Sequence, residues 1–121
     1  MTLDEYNAFC AALPATTHVV QWGGQDVWKV GGKLFAVASH PEGKDFQVTF
    51  KVGDIAFDVL PDMPGLRPAP YLASRGMKWL QWMSDETLSE EELKAHIEMS
   101  YRIVGSGLTK KLQRELGLLE G

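Results

Sequence analysis

A single cysteine, Cys10, stands in a chain of 121 residues. One thiol closes no disulfide within the chain and builds no multi-thiolate metal site, which suits a reducing cytoplasm. Histidine is nearly as scarce, and His18, His40 and His96 fall in no HExxH or spaced Cys/His pattern, so neither a metal nor another cofactor is expected. No apolar run reaches the length of a bilayer span, and MTLDEYNAF has acids where a secretory signal needs basic residues. Excess positive charge is missing too. Twelve Lys and Arg against 16 Asp and Glu leave a net charge of −4, which argues against coating nucleic acid by bulk electrostatics.

What is present is ordinary globular composition, 45% hydrophobic and 23% charged, in a length that suits one domain over residues 1–121. Thr2 and Glu5 form a capping-box pattern, and Leu3, Tyr6, Cys10 and Leu13 recur at helical spacing until Pro14. Val19 to Trp22 reads as a short strand. DVWKVGGKLFAV reads as a hairpin turning at Gly31-Gly32, which sets Val30 opposite Lys33, Lys29 opposite Leu34 and Trp28 opposite Phe35. FQVTFKV alternates strictly, DIAFDVL fits a short helix or a strand, and MKWLQWM reads as a further strand. Ser89 with Glu92 opens the longest helix, about 89 to 104, with Leu93, Ile97, Tyr101 and Val104 on its buried stripe, and KKLQRELGLL closes the chain as a last short helix. The expected fold is α+β: an antiparallel β-sheet with helix one and the long helix on one face, its core built from Trp28, Phe35, Phe46, Val48, Phe50, Ile97 and Tyr101.

Charge is distributed unevenly. Arg67, Arg75 and Lys78 lie in an acid-free stretch from Met63 to Ser84, and Arg102, Lys110, Lys111 and Arg114 lie in another from Met99 to Arg114. Two basic segments around an acidic one fit either a local anion-binding patch or charges that pair in space. Lys29 and Lys51 leave their strands opposite Trp28 and Phe50, so they share the face the helices leave bare. Alternation sends Trp79 and Trp82 to opposite sides, and one of them is expected near the surface. An exposed aromatic among lysines suits nucleic-acid stacking and equally a protein contact. GSGLTKK offers a helix start with two lysines for a phosphate, or simply glycines that end a helix. Glu92 and His96, one turn apart, supply two ligands, too few for a metal site.

The hairpin VWKVGGKLFAV, the strand FQVTFKV, the motif PGLRPAPY running into KWLQW, and the closing SYRIVGSGLTKKLQREL occur in an order that resembles the MmcQ/YjbR family of small bacterial proteins. The resemblance covers nearly the whole chain. It implies a CyaY-like fold with a double-wing DNA-binding motif, no catalytic residues, and a part for Pro68, Pro70 and Tyr71, for Lys78 and Trp79, and for the Ser100-Tyr101 and Lys110-Lys111 pairs. The functional expectation is a non-enzymatic DNA-binding protein using the bare sheet face and its basic edge: Lys29, Lys51, Arg67, Tyr71, Arg75, Lys78, Trp79, Lys110 and Lys111. The alternative is a small protein-interaction module that binds no nucleic acid. Neither reading involves a membrane.

Overall fold

Thr2 accepts the Glu5 N–H at 3.1 Å and starts α1, Leu3–Ala12, whose Tyr6 and Cys10 are fully buried. The computed structural model describes residues 1–40, 46–70, 72 and 76–119. After α1 come β1 (Thr16–Gln21), β2 (Gln25–Val30), β3 (Lys33–Ser39), β4 (Gln47–Lys51), α2 (Asp54–Val59), β5 (Leu66–Pro68), β6 (Trp79–Trp82), α3 (Glu90–Ser106) and α4 (Lys110–Glu115). The strands form one sheet in the order β1-β2-β3-β4-β6-β5, every neighbouring pair antiparallel. It is an α+β fold. DIAFDVL resolves as the helix α2, and the proline-bearing segment after it contributes the edge strand β5, where the missing N–H of Pro68 costs least.

All four helices cover the same side. Trp28, Val30, Phe35, Val48, Phe50, Leu80 and Trp82 form one cluster with Tyr6 and Cys10 of α1 and Leu93, Ile97 and Tyr101 of α3. Ala56, Phe57 and Leu60 of α2 and Leu112 of α4 pack against it. Polar ties fix the layers: Trp28 Nε1 donates to Asn7 Oδ1 at 2.9 Å, and Tyr6 donates to the Asp26 carbonyl at 3.1 Å. The Ser89–Glu92 capping box is complete in both directions.

The hairpin departs from a plain two-residue register. Val30 faces Lys33 and Lys29 faces Leu34 as expected, but Trp28 pairs with Ala36, so Phe35 is an extra residue in a bulge. The bulge lets Phe35 turn into the core, where its ring meets Tyr101 edge-on at 5.4 Å. GSGLTKK also resolves structurally. Leu108 lies against the Gly31 turn so closely that a Cβ there would be 2.6 Å from Leu108 Cδ1, and the six-residue α4 that follows is capped by Thr109.

The helix-free face of the sheet

Strand alternation decides which residues lie on the helix-free side, although Val27, Val37, Thr49 and Gln81 there are buried and only Arg67 of their row is exposed. With Phe50, Val48, Leu80 and Trp28 turned to the helices, the opposite side receives Val27, Val37, Thr49, Gln81 and Arg67, which form one row across β2, β3, β4, β6 and β5. Two residues further along β2 and β4, toward the same end, stand Lys29 and Lys51. Toward the other end stand Gln25, Ser39 and Gln47.

The strands contain a single carboxylate, Asp26, and it points to the helix side. There His18 Nε2 approaches Asp26 Oδ1 at 2.8 Å, His40 Nε2 lies 3.8 Å from Oδ2, and the His18 ring stacks on Trp28 at 4.8 Å. Asp4, Glu5, Asp54, Asp58, Glu90, Glu91, Glu92, Glu98 and Glu115 all ride on the helices. The helices also carry Lys94, Arg102, Lys110, Lys111 and Arg114, so their layer is mixed with an acidic excess, whereas Lys29, Lys51 and Arg67 on the other side have no strand carboxylate beside them. None of these three cations forms an ion pair among the described residues. Arg67 is instead oriented by Gln81, whose Oε1 accepts from Arg67 Nε at 2.7 Å while its Nε2 donates to Thr49 Oγ1 at 3.3 Å.

The face is hollowed. A cavity of about 620 Å³ lies over it, floored by Leu34, Val37, Thr49 and Gln81 and walled by Trp22 on one side and Pro70 and Leu72 on the other. Gln25, Ser39 and Gln47 complete its lining. Trp22 is 61% exposed and holds a left-handed φ of 54°, unusual for a bulky residue, in a turn with Gly23 and Gly24.

The other expected site residues are spread more widely. Trp79 and Trp82 do alternate, but both are buried: Trp82 Nε1 donates to the Leu88 carbonyl at 2.8 Å, and Trp79, on the helix-free side opposite Lys51, is only 3% exposed, with no partner for Nε1 among the described residues. The expectation that one of them reaches the surface fails: Trp79 is buried on the helix-free side although its strand neighbour Lys51 is half-exposed. The exposed tryptophan is Trp22. Lys78 is engaged with Asp54 at 2.5 Å. Lys110 and Lys111 are exposed on α4, among the helices rather than on the sheet face. Tyr71 and Arg75 lie outside the described residues. Trp22, Gln25 and Gln47 were absent from the sequence-based set. The available signal was a tryptophan beside two glycines, with glutamines at outward strand positions.

Nucleophiles on the helical side are muted. Burial pushes the Cys10 thiol up to about 12, although its hydrogen bond with Tyr6 lowers it, and burial also raises the Tyr6 phenol well above its ordinary value. Among the described residues no group of three or more His, Cys, Asp or Glu could hold a metal ion, and no helix is long and apolar enough to cross a membrane.

A family model described as YjbR matches residues 11–103. The chain belongs to the YjbR family. The match takes in all six strands and most of α3, including Ser100 and Tyr101, and stops before Lys110 and Lys111. Among solved structures, the chain is similar to Deinococcus radiodurans protein DR2400, which carries the DUF419 domain: identity is 25%, the TM-score is 0.83, and 99% of this chain and 93% of that one are covered. It also shares its fold with a protein from Pseudomonas syringae at 18% identity and a TM-score of 0.68, over 86% of this chain and 99% of that one. No curated protein matches. The YjbR match places the bare, cation-bearing face inside the stretch that defines the family.

Proposed function

We propose that this YjbR protein is a non-catalytic DNA-binding protein whose working surface is the helix-free face of the sheet. The observation that carries the reading is the partition of charge. A protein with a net charge of −4 repels a polyanion on average, yet Lys29, Lys51 and Arg67 share a surface whose strands present no carboxylate. Their geometry suits phosphate contact: β2, β4 and β5 lie at two-strand intervals, roughly 10 Å apart at about 4.8 Å per strand. Among the described residues Arg67 is held only by Gln81 through Nε, and its terminal nitrogens have no partner there.

With few cations engaged, affinity should be modest and its salt dependence shallow, near −0.9 per phosphate on duplex and −0.7 on single strands in a log–log plot. A gel-mobility assay with short single- and double-stranded DNA at low and at physiological salt tests this. Replacing Lys29, Lys51 and Arg67 together by alanine should abolish binding and lower the melting temperature only slightly, since Arg67 is exposed and Lys29 and Lys51 are half-exposed. Absence of binding at micromolar protein, or binding indifferent to salt, would overturn the reading in favour of a protein-interaction module. Loss of binding on changing Lys110 and Lys111 instead would move the site to α4.

A further inference from the structure

We propose that the hollow on the helix-free face receives a single unstacked base of a single-stranded nucleic acid, with Trp22 as its stacking platform and the carboxamides of Gln25 and Gln47 reading its edge. This rests on the nucleic-acid reading and specifies how that face is used.

The first support is the character of the lining. The cavity of about 620 Å³ falls within the range of small-ligand sites, and its named lining contains no charged residue. Trp22, Leu34, Val37 and Pro70 offer flat apolar contact. The polar groups among them are amides and hydroxyls, the donor and acceptor pairs that match a neutral heteroaromatic edge. Among the described residues a phosphate would find no cation inside. It would find Lys29, Lys51 and Arg67 just outside, on the same face. A nucleotide divides its charge in this way, with an uncharged planar base and an anionic linkage.

The second support is which amides are free. Gln81 is committed at both ends, to Arg67 at 2.7 Å and to Thr49 at 3.3 Å. Gln25 and Gln47, half-buried on β2 and β4, have no side-chain hydrogen bond among the described residues. Neither amide is sealed away among the described residues: both reach solvent, so both are open to a ligand approaching from the hollow.

Trp22 supplies the third. A tryptophan at φ 54° pays for a conformation that glycine adopts freely, and at 61% exposure it gains little burial in return. Its side chain instead lines the cavity. Stacking on an exposed indole tolerates any base, so selectivity is left to the two glutamines.

The test is an anisotropy titration of the full chain with a labelled single-stranded deoxyoligonucleotide and with an abasic backbone of equal length. The intact strand should bind at least about tenfold more tightly than the abasic one, the effect of one stacked base. Trp22→Gly, and separately Gln25→Ala with Gln47→Ala, should bring the intact strand toward the abasic affinity, leave abasic binding unchanged and preserve the melting temperature. Equal affinity for the two strands, or variants without effect, would overturn the base pocket while leaving backbone binding by the face intact. Binding of neither strand would remove both readings.

Discussion

Ser100 Oγ donates to the Phe35 carbonyl at 2.6 Å and accepts the Lys51 N–H at 2.9 Å. Phe35 is the extra residue of the hairpin bulge, so one hydroxyl on α3 satisfies the irregular strand and fastens the end of β4 beside it. The neighbouring Tyr101 donates to the Pro14 carbonyl at 2.6 Å and closes the turn after α1. The Ser-Tyr pair is thus a structural clamp, with both hydroxyls spent on backbone.

Ser100→Ala should cost about 2–3 kcal/mol, because it strands a carbonyl and an N–H at a fully buried position. Urea unfolding followed by tryptophan fluorescence measures this. A loss below about 0.5 kcal/mol would mean that water replaces the hydroxyl and that the clamp is dispensable.

Gly31→Ala faces two penalties, a φ of +59° and a Cβ 2.6 Å from Leu108 Cδ1. The expected loss is about 1–3 kcal/mol. If the close approach dominates, adding Leu108→Ala should cost less than the sum of the two single changes. Strict additivity in a thermal-unfolding cycle would assign the whole effect to backbone strain.

His96 tilts over Phe50 at 5.6 Å, and burial holds its pKa below the ordinary 6.5 against the upward pull of Glu92. The unfolded chain then binds the proton more readily than the folded one. Its contribution to stability is complete above the unfolded value and is lost as pH falls through it toward the lower folded value. Between about pH 7 and pH 5, stability should decline less steeply in His96→Gln than in the parent. Parallel curves for the two proteins would show that His96 protonates equally in both states.

Local signals explain why much of the fold was legible. The Thr2 and Ser89 caps, the Gly31-Gly32 turn and the alternation of Phe46 to Val52 are each written within a few residues, and each corresponds to the element it announced. The bulge was not legible, since its satisfying hydroxyl lies 65 residues away. β5 was missed because three residues with a terminal proline carry no strand signature; the pairing with β6 makes it one. The lysines of the bare face followed from alternation alone. The hollow did not, for Trp22, Gln25, Gln47 and Leu72 come together only through the sheet order. Trp79 shows the limit of alternation, which gives the side of a sheet and is silent on what covers it.

The net acidic excess of the helical layer, against strand cations on the other side, should give the molecule a modest dipole moment through its thickness. At about a Debye length from a polyanion, roughly 8 Å at physiological salt, that dipole exerts a torque before any contact forms. If the face binds DNA as proposed, an encounter that begins with Lys29, Lys51 and Arg67 foremost should proceed more readily than one that begins with α3. The same torque seats the protein on a positively charged resin by its helices, leaving the sheet facing the solution, so an immobilised sample would present its cationic side to whatever flows past.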